Sequence, residues 1–414
     1  MTSRLSFLLI IFALVLSVVA RNAELLLLDV IVMIIAFTSW LWGKYCLTGV
    51  SYTRHFDADR LFFGEETNLW IELVNAKPLP LTWLKAEDEF PQELSLLCSE
   101  TRYSTRPQRR VLANMYSLRW YEKVRRRYRV RGERRGAYDV GPAQMASGDL
   151  FGFQLRRTVA PDVHTVFVYP KIVPVTQLSL PAARPLGDYG SERRILDDPL
   201  RIAGARDYQA GDSVRHLHWK ATAHRGVLQT RQFDPSAALH WMICLNTQTL
   251  ERLYEGSVPD FLETAIVVAA SLACAGLEAR RAVGLVANGS IRDSQAWVRL
   301  SASRHVLQAT HILEALAQVS SVPLITFEQL LRLERPRLPY GASIFAVTSL
   351  LDENILNALL DLRSKGHPIA LILVGRQPDD RLLPPEVPVY VVRENWTELK
   401  ALHLTPYQPT RSMA

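Results

Sequence analysis

The chain has 414 residues, 48% of them hydrophobic and 21% charged, and a formal net charge of +7. That is room for two or three domains at roughly 100–200 residues each, and the composition excludes a disordered or low-complexity chain. Four cysteines in so long a chain exclude a disulfide-framed scaffold and fit a reducing compartment.

The N-terminus departs from the average. Leu5–Ala20 holds no charge, and after Arg21-Asn22-Ala23-Glu24 the run Leu25–Trp42 is apolar again apart from Asp29, Thr38 and Ser39. A bilayer asks for about 20 apolar helical residues, with about 17 as the lower limit. The two runs predict a transmembrane helical hairpin over 1–48. Trp40, Trp42 and Tyr45 stand at the place of an aromatic belt, beside Lys44. A second reading takes Arg4, the first apolar run and Val18-Val19-Ala20 as a signal peptide. Both readings put the rest of the chain on the cytoplasmic side of the cell membrane. Arg4, Lys44, Arg54 and Arg60 outside the spans, against Arg21 alone between them, agree with that side.

Residues 49–180 read as a β-sandwich-like domain. Asn68–Val74 alternates apolar and polar and ends in the turn residues 75–80, and further strands are expected at 81–88, 111–120, 124–131 and 163–169. Arg119–Arg135 carries nine Lys or Arg against Glu122 and Glu133, an excess of seven that equals the net charge of the chain. Arginines 125, 127, 129 and 131 share one side of a strand, which makes a solvated face. The functional alternative is a clamp on anionic lipid; no nucleic-acid role is expected beside a membrane hairpin.

Residues 181–238 form a connecting segment, and 239–405 an α/β doubly wound domain before a tail at 406–414. Strands are expected at 240–246, 282–287, 343–348, 369–374 and 387–392. Helices are expected at 259–279, 304–318, 324–333, 353–364 and 395–403. Ligands of such sheets sit at the carboxyl ends of the strands. Here those ends read Asn246-Thr247-Gln248-Thr249-Leu250 and Thr348-Ser349-Leu350-Leu351-Asp352, without a Gly-rich phosphate loop. Cys46, Cys98, Cys244 and Cys274 show no metal-ligand spacing.

The stretch 205–234 gathers the reactive residue types. His216, His218 and His224 suggest zinc, but only Asp212 stands near them, and a catalytic site needs three protein ligands and an open position. Asp212 with Lys220 suggests a metal-dependent hydrolase, yet His218-Trp219 occupies the place of the second carboxylate. Ser213 near His216 lacks the signs of a strained elbow. The structural reading is a Gly211-Asp212 turn, Trp219 as a large buried platform, and Arg206, Arg215, Lys220 and Arg225 paired with Asp207, Asp212 and Asp234.

The signature Arg206-x-Tyr208-x-x-Gly211-Asp212-x-x-Arg215-x-x-His218-Trp219-Lys220-Ala221-x-Ala223-x-Arg225 resembles that of domain-of-unknown-function family number 58. Asn75-x-x-Pro78-Leu79-Pro80-Leu81-x-Trp83, Arg134-Arg135-Gly136-x-Tyr138 and Ser147-Gly148-Asp149-x-Phe151-Gly152 extend the resemblance. It implies a membrane-anchored protein with a β domain and a von Willebrand factor A-like C-terminal domain. It also implies association with a MoxR-type AAA+ ATPase, in protein or envelope assembly. The metal site of von Willebrand A domains opens Asp-x-Ser-x-Ser, and here those positions are Asn246, Gln248 and Leu250. The expectation is therefore a degenerate site without a metal, Asp352 being a displaced acidic group, and a non-enzymatic scaffold without cofactors. The competing expectation is a metal-dependent hydrolase using Asp212, His216, His218 and Lys220.

Overall fold

The computed structural model describes residues 23–97, 101–176, 202–209, 217–233, 240–252, 255–292, 294–339, 341–376 and 387–407, with Leu383 and scattered positions between 11 and 19. Two units emerge, Met1–Tyr169 and Pro170–Ala414, where the sequence reading placed the boundary at 180. The fold is mixed α/β, with an apolar N-terminal helix and several sheets.

The first unit opens on helix α1 (Ala23–Tyr45), with Glu24 in its first turn and Lys44 in its last, as the helix dipole favours. Its most apolar stretch of 18 residues has mean hydropathy 2.3. At 1.5 Å per residue it is about 34 Å long, enough to cross a hydrocarbon layer of about 30 Å. Leu27, Ile34 and Phe37 are exposed along it. The other half of the expected hairpin, Leu5–Ala20, lies largely outside the described residues.

Twelve strands follow: β1 (Val50–Phe56), β2 (Arg60–Leu61), β3 (Glu66–Asn75), β4 (Leu81–Pro91), β5 (Leu94–Leu96), β6 (Arg102–Tyr103), β7 (Arg109–Leu118), β8 (Lys123–Gly132), β9 (Gly136–Val140), β10 (Ala143–Gly148), β11 (Leu155–Ala160) and β12 (His164–Val168). They pair as sheets β1-β3-β8-β5, β11-β10-β4-β7-β6 and β2-β12-β9. Alternation decides which face is inside. In β3, Leu69, Ile71 and Leu73 join Phe56, Leu84, Phe90, Leu112, Val130 and Val166 in one core. Burying each such side chain contributes about 1.5–3 kcal/mol.

A charged pair sits inside this core. The Asp88 carboxylate accepts from Arg54 Nη1 at 2.8 Å and from the Tyr52 hydroxyl at 2.8 Å, and both charged side chains are buried. Burial pushes the Asp88 carboxyl up to about 6, against the opposing pull of the Arg54 guanidinium and the Tyr52 hydroxyl.

The second unit contains β13 (Val175–Thr176), a ribbon of β14 (Ile202–Asp207) and β15 (Gln229–Phe233), and between these the short helix α2 (Trp219–Arg225). Its main sheet joins β16 (His240–Leu245), β17 (Ala282–Ser290), β18 (Trp297–Ser303), β19 (Ser343–Thr348), β20 (Ile369–Val374) and β21 (Val389–Val392) in the order β18-β17-β16-β19-β20-β21. All neighbours run parallel except β18, an antiparallel edge strand. Helices α3 (Pro259–Glu278), α4 (Gln308–Gln318), α5 (Phe327–Glu334) and α6 (Glu353–Ser364) connect them.

The pleat sorts the helices onto two faces. Met242, Cys244, Ile344 and Ala346 pack with Phe327, Leu330, Leu331, Leu359 and Leu362 of α5 and α6. Trp241 and Val283 point the other way, toward Gly276 of α3, where any Cβ would overlap the indole. Apolar runs buried on both faces are what a covered parallel sheet demands.

Two expectations fail. Residues 395–403 form no helix: one turn closes with Leu399 N donating to Asn395 O, and then β22 (Leu402–His403) pairs parallel with β13. Leu402 and Leu404 are buried around an exposed His403, and that period of two is a strand's. Strand β18 went unforeseen, because its return from β17 carries no intervening helix.

Candidate functional site

A parallel sheet leaves its chemistry at the carboxyl ends of its strands, where the order reverses. Here the reversal lies at β16, flanked by β17 and β19. Asn246 and Thr247 follow β16, Asn288 stands near the end of β17, and Thr348 ends β19; all four are buried.

Their polar atoms are bonded to one another. Asn246 Nδ2 donates to Thr348 Oγ1 at 3.0 Å, and Asn246 Oδ1 accepts from Gln248 N at 3.0 Å and from Asn288 Nδ2 at 2.9 Å. Asn288 Oδ1 accepts from Thr247 N at 2.7 Å and Thr247 Oγ1 at 3.1 Å, while its Nδ2 also reaches Ile325 O at 3.2 Å. Thr348 Oγ1 donates to Leu350 O at 2.7 Å, and Leu350 N donates back at 3.0 Å. Gln248 spends its amide on the carbonyls of Leu250 and Glu251, at 2.9 and 3.1 Å.

The result is a neutral plug. Asn246 Oδ1 already faces two N–H groups. Asp352 Oδ1 accepts from Ile355 N at 2.7 Å as the N-cap of α6. Outside the plug lies a pocket of about 470 Å³ lined by Gln248, Glu251, Glu328, Asp352 and Arg376, among others. Glu328 Oε1 accepts from Thr326 Oγ1 at 2.6 Å. Among the described residues no three of His, Cys, Asp or Glu converge as a metal-holding group. What the site offers chemically is hydrogen bonding and a rim of mixed charge.

Asn288 was invisible to sequence reasoning. Asn288-Gly289 reads as a turn that ends a strand, yet β17 runs on to Ser290. The signal that was there is an amide at the end of an apolar run, since a buried amide needs partners.

The signature segment is only partly described: Gly211, Asp212, Arg215 and His216 lie outside the described residues, as does Asp234. Of the rest, Leu217 is buried and bridges to Thr230, and His218 N donates to Gln229 O at 2.8 Å. His218 then caps α2, its Nδ1 accepting from Ala221 N at 3.1 Å, and Gly226 closes the helix in the left-handed conformation. That nitrogen is thereby spent on the backbone. Asp207 Oδ1 accepts from Gln229 Nε2 at 2.5 Å, and Arg206 Nη1 donates to Asp207 O at 3.3 Å; Tyr208 N donates to Leu228 O.

Trp219 corrects the expectation of a buried platform. It is 65% exposed, and Lys220, His224, Arg225, Val227 and Leu228 around it are exposed as well. The cause is local: α2 has no buried residue, and its anchorage comes from backbone bonds and from Leu217 before it.

The basic run of β8 resolves into two faces. Arg125 and Arg127 lie over the Trp70 ring at 3.9 and 5.7 Å, while Arg126, on the opposite face, lies over Tyr116 at 4.2 Å. Lys123 pairs with Glu72 at 2.6 Å and Arg129 with Glu66 at 3.7 Å. This is a solvated face with guanidinium groups seated on rings, worth about 0.5–1 kcal/mol each at exposed sites.

The family described as "Protein of unknown function DUF58" matches residues 204–402, which take in the ribbon, α2 and the main sheet. The uncharacterized protein YeaD of Bacillus subtilis (strain 168) is 24% identical over 254 residues, 61% of this chain and 59% of that protein. The chain thus matches about three fifths of that relative's length. Among solved structures, the CARDB domain of the PF1109 protein from Pyrococcus furiosus is 9% identical, covering 29% of this chain and 91% of that one, with a TM-score of 0.20. A beta-glucosidase from Listeria innocua is 12% identical over 29% of this chain and 16% of its own, with a TM-score of 0.18. Likenesses this weak carry no functional argument. The family match and the relative agree with the signature residues: residues 204–402 are a DUF58 region.

Proposed function

We propose that the protein is a non-enzymatic, membrane-tethered scaffold whose soluble units face the cytoplasm and act through protein contacts. Helix α1, with the apolar run before it as the other arm of a hairpin, is the tether. The main sheet is read as von Willebrand factor A-like, supported by the order β18-β17-β16-β19-β20-β21 and its antiparallel edge strand. In this reading the metal-dependent contact of such domains has been replaced by the neutral plug around Asn246.

The observation that carries the proposal is the exposure of Trp219. Tryptophan and arginine are the side chains most enriched where protein partners bind tightly. The signature helix offers both to solvent, with Val227 and Leu228 beside them. The partner class that the family resemblance implies is an AAA+ ATPase of MoxR type. Capture from detergent-solubilised membranes tests this, with ATP and with ADP. The wild-type chain is expected to enrich such an ATPase and Trp219→Ala to lose most of it; no enrichment with either nucleotide, or capture indifferent to Trp219→Ala, overturns the proposal.

A further inference from the structure

We propose that the turn Asp149–Gln154, together with the start of β11, is a second membrane contact: an aromatic collar that enters the headgroup layer of a phospholipid bilayer beside α1. The inference rests on the reading of α1 as a membrane span. It gives a role to the turn that carries the motif Ser147-Gly148-Asp149-x-Phe151-Gly152 in the β unit.

Leu150, Phe151, Phe153 and Leu155 are all exposed, Phe151 to 51% and Phe153 to 73%. The two rings stack with centroids 6.0 Å apart. Gly152 between them has φ +78°, a left-handed position that a bulkier residue would strain, and it lets both rings emerge on the same side of a tight turn. Single exposed apolar residues need no explanation, but four within six positions make a patch, and contiguous patches mark contact surfaces.

The turn's position identifies what covers it. The Asp149 carboxylate accepts from Ser39 Oγ at 2.7 Å, from Gln154 N at 2.7 Å and from Phe151 N at 3.3 Å, so the turn is bonded to α1 at Ser39. Ser39 lies six residues, about 9 Å, before the helix ends at Tyr45. That is the level of Trp40 and Trp42, the side chains that favour the boundary between hydrocarbon and water. The medium that covers the exposed Ile34 and Phe37 of α1 therefore reaches the turn that Ser39 holds.

A neighbouring turn adds to the rim. Trp42 Nε1 donates to Pro80 O at 3.1 Å, and Asn75 Nδ2 ties Leu79 O to Arg119 O, at 3.0 and 2.8 Å. Beyond Arg119, Trp120 and Tyr121 are both exposed at the β7–β8 turn. Lys44, Arg119, Lys123, Arg156 and Arg157 stand exposed among these aromatics, the sign of charge that anionic headgroups attract. Aromatic tips with basic flanks suit an interface between lipid and water better than they suit a packed protein surface.

The test uses the full chain reconstituted in vesicles of four parts phosphatidylcholine to one part phosphatidylglycerol. An environment-sensitive fluorophore is attached at Phe153→Cys, at Ile34→Cys within α1, and at Tyr103→Cys, which is 85% exposed on β6. The unsubstituted chain, treated alike, gives the background from native thiols. Quenching is read with nitroxides on the upper and middle acyl chain and with aqueous iodide. The expected result is Phe153→Cys quenched by the upper-chain nitroxide and shielded from iodide, Ile34→Cys quenched by the mid-chain nitroxide, and Tyr103→Cys quenched by iodide alone. If Phe153→Cys behaves as Tyr103→Cys while Ile34→Cys is lipid-quenched, the collar is overturned and the tether stands. Shielding of Phe153→Cys from iodide without lipid quenching means a protein covers the patch, which also overturns it. An Ile34→Cys that no lipid quenches overturns tether and collar together.

Discussion

Placing an acidic residue at the head of the sheet separates a latent cation site from a closed structural plug. Asn246→Asp changes no volume, so its effect is electrostatic. In the native chain Asn246 Nδ2 donates to Thr348 Oγ1 at 3.0 Å, and the one proton of that hydroxyl is already given to Leu350 O. A carboxylate oxygen in place of Nδ2 therefore faces an oxygen with no proton to offer, in a site buried from water. The folded protein escapes by keeping the carboxyl protonated, which raises its pKa above the unfolded value of about 3.9. Holding the proton to about pH 6–7 costs about 3–4 kcal/mol at neutral pH, at about 1.4 kcal/mol per pH unit. For a unit of this size that lowers the unfolding midpoint by about 6–15 °C. The folded state binds the proton more tightly, so the penalty is absent below about pH 4 and grows as pH rises through the carboxylate range. Thermal unfolding of the detergent-solubilised chain, near pH 4 and near pH 7, with and without millimolar Mg²⁺, reads all of this. A variant as stable as wild type at neutral pH, or one that Mg²⁺ restores, refutes the plug.

The buried pair in the first unit gives a second pH-dependent outcome. Asp88, its carboxyl raised to about 6, favours folding in the protonated form, so its contribution is full below about pH 4 and falls by roughly 3 kcal/mol as pH rises to about 6. Asp88→Asn removes that slope and leaves buried Arg54 with only the half-exposed Asp162 carboxylate, 4.0 Å from its Nε, at a cost of about 3–5 kcal/mol near neutral pH; parallel stability-versus-pH curves for the two proteins contradict the assignment. The thiols provide a third check. Burial pushes Cys244 up to about 12 and Cys274 up to about 11, and only the thiolate is nucleophilic. Iodoacetamide at about pH 8 is expected to leave both unmodified in the folded chain and to alkylate them on unfolding, by mass spectrometry of peptides; equal rates in the two states count against the burial described.

Some of this was legible in the residues and some was not, for physical reasons. The runs at 240–246, 343–348 and 369–374 announced their strands because a sheet covered on both faces needs unbroken apolar sequence. Strand β18 escaped because Trp297–Ser303 lies at an edge, where Val298 alone of its seven residues is buried and the pattern weakens. Residues 395–403 look helical by composition, but Leu402 and Leu404 answer to a neighbouring strand that sequence alone does not bring near. Asn246 and Gln248 could be picked out as amides in ligand positions. The closure of Asn246 by Asn288, 42 residues on, depends on which strands become neighbours. Trp219 was misjudged for a different reason. Its size argues for burial, yet burial needs a second layer, and a helix of seven residues on a two-stranded ribbon has none among the described residues.

The joint between α1 and the β fold has a mechanical consequence. Ser39, Trp42 and Gly43 are bonded to Asp149, Pro80 and Arg156, and only a short turn separates Tyr45 from Val50. A flexible tether transmits pull and forgets direction; this one transmits torque. Turning α1 about its own axis turns the whole first unit with it, so the angle at which the helix meets its neighbours sets the compass bearing of every surface that the unit presents.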